Sequence, residues 1–344
     1  MMQSAAVQHA RHKTWTGYQG GQPLKDSQIR KKIYKTKIAT GSIKQVDGAT
    51  LREWSDRLDV SYSAFQSTLK HQGLDAALAL TKRKSSLETL VESWLQDVDV
   101  VINKRLHGTS YRPDILVPAS KLIIEVDGLY WHSDAVIQDK TYHKNKMQAY
   151  KAAGFASCFI RADELLNKPD IVKSMLRHRL GRTQARVYAR ACDLISVSRK
   201  TSQEFLSKHH LMGAANGFTL ALTTQGQPVA MMQFRRRKAN LEIARYCSAK
   251  NNSVVGGFSR LLKAGARHAG VYTIETFCDL RYGDPTNLEL LGFTHKNTSL
   301  SFVWTDGRRT MHRMQFPGNS GYEKNLQKIW DCGQALYIKQ MSKP

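Results

Sequence analysis

Cysteine is scarce in this chain: there are five among 344 residues, and no two form a CxxC pair. Cys158, Cys192, Cys247, Cys278 and Cys332 are odd in number and scattered. This argues against a disulfide framework and a cysteine-based zinc site, and for a reducing cytoplasm. Long apolar runs are also missing. No stretch of about 18 apolar residues is present, so no membrane-spanning helix is expected, and the opening MMQSAAVQHARHKTW lacks a signal-peptide core. Acidic residues are the third scarcity: 28 Asp and Glu face 52 Lys and Arg, leaving +24. Such an excess implies a polyanionic partner, with nucleic acid the first reading; basic ribosomal and membrane-surface proteins share the signal. A hydrophobic share of 41% and a charged share of 23% describe a globular chain long enough for two or three domains.

Residues 1–30 read as a basic arm. Residues 31–83 read as a helix-turn-helix region. Thr50 with Glu53 three residues on is a capping box, and Leu51, Trp54, Ser55 and Leu58 fall at helical spacing. After a tight turn, a second helix would enter a major groove of double-stranded DNA, presenting Tyr62, Ser63, Gln66 and Lys70. LTKRKSS (80–86) reads as a linker. Residues 84–182 read as an α/β unit: a helix in SSLETLVESWLQDV, strands near Val98–Asn103, in DILVP, in KLIIEVDG and in FASCFIRA, and helices over 139–153 and in DIVKSMLRHRLG. Residues 186–316 read as a second α/β unit, with GFTLALTTQGQPVAMMQFRRR as two strands around a Gln-Gly turn. Residues 317–344 read as a C-terminal tail.

The chemistry concentrates in KLIIEVDGLYWHS (121–133). DIL and KLIIEV form a hairpin on this reading, and a turn centred between Ala119 and Ser120 sets Asp114 opposite Glu125, about 5 Å apart at Cβ. Opposed carboxylates call for a positive charge between them, and a divalent cation, Mg2+ or Mn2+, is the economical candidate. Asp127 lies on the same strand face as Glu125 and can bind or support the ion. His132 is suited to proton transfer at neutral pH, and Glu88 on the preceding helix can reach the same site. Metal-assisted phosphodiester hydrolysis follows.

RPDILVPASKLIIEVDGLYWHS, a helix ending KMQAYKAAGF, and CFIRADEL together resemble the Vsr-like (EDxHD) branch of the PD-(D/E)xK nucleases. The resemblance implies a restriction-endonuclease-like core with a metal at Asp114, a catalytic His132 and an acid matched by Glu88. Asp127 stands where that fold's lysine is usual, and His143 or Asp139 stands in for an acid on the later helix. NNSVVGGFSRLLKAGARHAG and LELLGF look like parts of the GNAT acyltransferase fold, and the base-modifying protein Mom is a distant comparison. Gly256 and Gly257 match its phosphate-binding turn, while Phe258 takes the place of a third small residue. MHRMQF with GYEKNLQKIWDCGQALYI resembles the tail of phage Hef-type homing endonucleases. Arg235, Arg236, Arg237 and Lys238, on a predicted hairpin edge, are expected to contact the DNA backbone. The expected function is a site-specific homing endonuclease in a phage or bacterial-host cytoplasm, with no small-molecule cofactor beyond the metal. A repair or restriction nuclease, or a Mom-like modifying or acyl-transferring enzyme, are the alternatives.

Overall fold

A computed structural model describes residues 36, 45–46, 48–58, 60, 62–78, 85–283 and 285–343. The chain divides into two units, Met1–Arg83 and Lys84–Pro344. The basic arm lies outside the described residues, as does the linker apart from Ser85 and Ser86.

In the first unit β1 (Gln45–Val46) and β2 (Ala49–Thr50) pair antiparallel, and α1 (Leu51–Arg57), α2 (Tyr62–Gln72) and α3 (Leu74–Leu78) follow. The capping box is present: Thr50 Oγ1 accepts from the Glu53 amide at 3.2 Å, and Glu53 accepts from the Thr50 amide at 2.8 Å. Both sequence-predicted helices form, and Phe65 anchors α2 with no exposed surface. Tyr62, Ser63, Gln66 and Lys70 all lie on the exposed side of α2. The β1–β2 pair and α3 were not anticipated.

The second unit begins with α4 (Ser86–Ser93), then β3 (Val101–Ile102), β4 (Ile115–Val117) and β5 (Leu122–Asp127). α5 (Tyr142–Ala152) carries the chain to β6 (Ala156–Arg161), and α6 (Ala162–Asn167) and α7 (Pro169–Arg179) close this part. The strands form a four-stranded sheet in the order β3-β4-β5-β6, antiparallel except for the β5–β6 pair. The β4–β5 turn is a 3-10 turn over Pro118–Ser120 closed by Lys121 in the left-handed region. Ile115 pairs with Ile124, the register expected from the sequence. All six residues of β5 are buried, so the strand is covered on both faces. Leu122, Ile124 and Val126 join a core with Val91, Leu95, Val172 and Leu176 of the α4 and α7 side. Ile123 faces the other way, with Tyr150 of α5 and Phe159. Strand alternation therefore turns Glu125 and Asp127 toward α5.

The chain continues through β7 (Ala185–Tyr188), β8 (Asp193–Val197), α8 (Arg199–His209), β9 (Phe218–Thr224), β10 (Gln227–Arg237), β11 (Asn240–Ser248), β12 (Asn252–Val255), α9 (Gly257–Ala269) and β13 (Thr273–Asp279). It ends with α10 (Thr286–Leu290), β14 (Thr294–Ser299), β15 (Phe302–Thr305), β16 (Thr310–His312), β17 (Gln327–Trp330) and β18 (Gln334–Gln340). A seven-stranded sheet runs β14-β18-β13-β11-β10-β9-β8. Gln225 and Gly226 both have positive φ, which fits the tight β9–β10 hairpin. The segment read as a tail is not peripheral: β18 lies between β13 and β14, and β17 pairs with β15. Its alternating QALYIKQ carries Ala335 and Tyr337 into the core.

A buried ion pair crosses the second unit. Arg281 donates to both oxygens of Glu164, at 3.1 and 3.2 Å, and to Asp279 at 3.1 Å. Burial alone would raise the Glu164 carboxyl, but Arg281, then Arg161, hold it at about 2 against an ordinary 4.5. A depressed carboxyl stabilises the fold above its unfolded value, and that contribution is lost as pH falls toward the folded one. Glu164→Gln is therefore expected to cost about 3 kcal/mol at neutral pH. Denaturant unfolding should show the parent's advantage over this variant shrinking from about pH 5 to pH 2; a constant difference would rule the linkage out.

Candidate functional site

The site is built where β5 ends beneath α5. Glu125 is 1% exposed, and each of its oxygens is taken: Oε2 accepts from Lys146 Nζ at 2.7 Å and Oε1 from the Tyr150 hydroxyl at 2.5 Å. Lys146 and Tyr150 are four residues apart on α5, so they share one face. Burial raises the Glu125 carboxyl, and Lys146 opposes that rise. Burial likewise works against the Lys146 charge, yet Glu125 outweighs it and the ammonium is held above its ordinary range. Asp114 Oδ2 accepts from the Val126 amide at 2.8 Å. Burial first, then Glu125, pushes Asp114 up to about 7.

Asp127 is 3% exposed and meets two histidines. Its Oδ1 lies 3.2 Å from His132 Nδ1 and its Oδ2 lies 3.9 Å from His143 Nε2. The two ring nitrogens are 2.8 Å apart. Burial would raise Asp127, but His132 first of all holds it below the usual carboxylate range. Burial lowers His143 to about 4, which keeps that imidazole neutral.

His132 sits in a loop of tight turns, its amide bonded to Gly128 O at 3.1 Å. The loop is fastened at Asp134. The Asp134 amide donates to Lys328 O at 2.8 Å, and its carboxylate accepts from the Lys328 amide at 3.0 Å and from the Tyr322 hydroxyl. Behind the site, the Cys332 thiol contacts the His143 carbonyl at 3.6 Å. The segment 322–332 thus holds the histidine pair from behind.

The sequence-predicted residues divide into groups. Asp114, Glu125, Asp127, His132 and His143 come together. Glu88 caps α4 with Ser85 and also accepts from Asn103 at 3.2 Å. Asp139 is exposed and turns to Thr141, at 2.7 Å. Arg235, Arg236, Arg237 and Lys238 are exposed where the β10–β11 hairpin runs past the end of β9. Three of them are already engaged: Arg235 forks onto Glu242 at 2.7 and 2.8 Å, Arg236 donates to the Ala269 carbonyl, and Arg237 lies 3.6 Å from Glu242 and from Glu275. Sequence reasoning gave Lys146, three residues after His143, no place in the site, and it missed Tyr150. The usable signal was a lysine spaced with His143 and Tyr150 on the buried face of an otherwise polar helix, since a buried lysine needs an acid. Tyr130 and Trp131, next to His132, are 55% and 68% exposed.

The cation expected between Asp114 and Glu125 has a counterpart in the protein itself. Lys146 neutralises Glu125 directly, and both Glu125 oxygens are hydrogen-bonded. This pair therefore does not fit the open oxygen cage that Mg2+ prefers. Lys146→Ala is expected to cost about 3 kcal/mol, because it strands a buried carboxylate. Adding Glu125→Gln to it should return part of that loss in denaturant unfolding; strictly additive losses would show the pair is uncoupled.

No protein-family model and no curated protein sequence matches the chain. Its structure is similar to acetyltransferase structures, each at low overall score. The ribosomal-protein-S18-alanine N-acetyltransferase from Escherichia coli is 12% identical, with 44% of this chain and 96% of that one covered at a TM-score of 0.31. Aminoglycoside 6'-acetyltransferase type Ii is 12% identical, covering 44% and 99% at 0.28. The IAA acetyltransferase from Bacillus cereus is 12% identical, covering 44% and 99% at 0.27. A likeness this distant assigns no chemistry to the chain.

Proposed function

We propose that the chain is a metal-dependent nuclease that hydrolyses phosphodiester bonds in double-stranded DNA, of the site-specific homing type. The observation that carries this reading is the joining of Asp114, Glu125 and Lys146 with Asp127, His132 and His143 at one strand end. With both Glu125 oxygens held by Lys146 and Tyr150, a divalent ion would rest on Asp114 and the substrate phosphate, and would supply charge neutralisation there. Lys146 fixes Glu125 and adds positive charge beside Asp114. His132 is the partly exposed member of the histidine pair, so it is the group that exchanges a proton with water or with a leaving oxygen. Asp127 and neutral His143 orient its ring. The net charge of +24 supports a polyanionic substrate. The exposed α2 side chains and the β10–β11 hairpin are the surfaces offered to DNA.

Acyl transfer by the 186–316 region is the second reading. In its favour, β11 and β13 pair in parallel only over Leu241–Ile243 with Ile274–Thr276, and a glycine turn then opens α9. Against it, the turn is tightly packed: Tyr246 and Phe258 meet edge to face, ring centroids 5.1 Å apart. A Cβ on Gly257 would lie 3.0 Å from the Val254 side chain and 3.1 Å from the Tyr246 hydroxyl, so the glycine at this turn is accounted for by packing alone.

Incubation with phage-sized DNA and a divalent ion tests the choice. His132→Ala and Asp114→Ala are each expected to lower cleavage about 100-fold or more while DNA binding is retained. Cleavage that survives both changes would exclude the proposed site. Calorimetric binding of acetyl-CoA by a chain that cuts no DNA would favour acyl transfer. A requirement for a mismatch would mark a repair enzyme instead of a homing one.

A further inference from the structure

We infer that Asp127, His132 and His143 form a site for one first-row transition-metal dication of the zinc class, apart from the Asp114–Glu125 pair. One carboxylate oxygen and one nitrogen from each imidazole lie within 4.8 Å of one another. The separations are 2.8 Å between the nitrogens, 3.2 Å from Asp127 Oδ1 to His132 and 3.9 Å from Asp127 Oδ2 to His143. A tetrahedral ion with bonds of about 2.0–2.1 Å keeps its ligand atoms about 3.3 Å apart, so the cluster needs little movement to close on one.

A second observation points the same way. Asp127 Oδ1 is buried and has no hydrogen-bond partner, although His132 Nδ1 is only 3.2 Å away. Buried carboxylate oxygens are rarely left so. Lys146 does not relieve it, since its ammonium is held on Glu125 at 2.7 Å. An ion between the three groups would satisfy Oδ1 and take a lone pair from each facing nitrogen, placing the ring protons on the outer nitrogens. Two imidazoles and one carboxylate suit zinc-class ions, whereas Mg2+ prefers oxygen alone. His132 is the accessible ligand, its side chain 19% exposed, so the fourth position opens toward solvent. Three protein ligands with one open position describe a hydrolytic centre; with the ion bound His132 would be a ligand and the water at the open position would take over its proton-transfer role, a consequence for catalysis that rests on the nuclease reading above.

The test is ion binding by the full-length chain, stripped with chelator and dialysed against Zn2+, with bound metal measured by mass spectrometry. One equivalent is expected, and Co2+ in its place should give the visible absorption of a low-coordinate site. His143→Ala and Asp127→Asn should remove both signals, while Asp114→Asn keeps them. His132→Asn, in a partly exposed loop, guards against misfolding of the buried variants and should weaken binding at least 10-fold. Absence of a bound equivalent, or binding indifferent to all three ligand variants, would overturn the inference. Mg2+-supported cleavage by a chain that binds neither Zn2+ nor Co2+ would sink this site and leave the nuclease reading standing. Stoichiometric, variant-sensitive binding without DNA cleavage would uphold the site and remove the nuclease reading.

Discussion

The buried contact between Glu125 and Lys146 is the constraint on which the rest of the site depends. A carboxylate inside a fully covered strand costs several kcal/mol unless a charge of opposite sign meets it there. Lys146 meets it at 2.7 Å, and this fixes how α5 is rotated over the sheet. Three residues earlier, His143 is then carried toward Asp127; four residues later, Tyr150 closes on the second Glu125 oxygen. One ion pair between strand and helix thus sets the placement of both acids and one histidine.

His132 reaches the cluster by different means, because no helix or strand holds it. Asp134 pins its loop to β17 twice: its amide donates to the Lys328 carbonyl and its carboxylate accepts from the Lys328 amide. Lys328 is itself fixed: its ammonium lies 4.7 to 4.8 Å from the ring centroids of Phe302, Trp304 and Tyr322 and bonds Asn319 at 2.7 Å. The last strands of the chain therefore act on the chemistry near its middle. With the Arg281–Glu164 pair, they bind the two α/β patterns into one compact unit.

Local signals were legible wherever chemistry and spacing agreed. The Thr50 capping box, the Gln225–Gly226 hairpin and the β4–β5 register needed only near neighbours, and each is present. From that register the facing of Asp114 and Glu125 followed. Lys146 was not legible as their partner, because it lies 21 residues beyond Glu125 and local spacing does not report a pairing that α5 creates. The pairing of β17 and β18 into the sheets was not legible for a related reason. Their short, mixed sequences become strands only against partners such as β13 and β15. Asp139 looked like a substitute acid from spacing alone, yet a local bond to Thr141 turns it elsewhere.

The central claim is that this cluster hydrolyses phosphodiester bonds. Its most direct test is cleavage of DNA by the intact chain in oxygen-18 water, with the new ends analysed by mass spectrometry. The account predicts single-turnover ends that carry one heavy oxygen on the terminal phosphate, lost when Lys146 is replaced by methionine. Ends without the label, or labelled ends formed equally well by that variant, would contradict it.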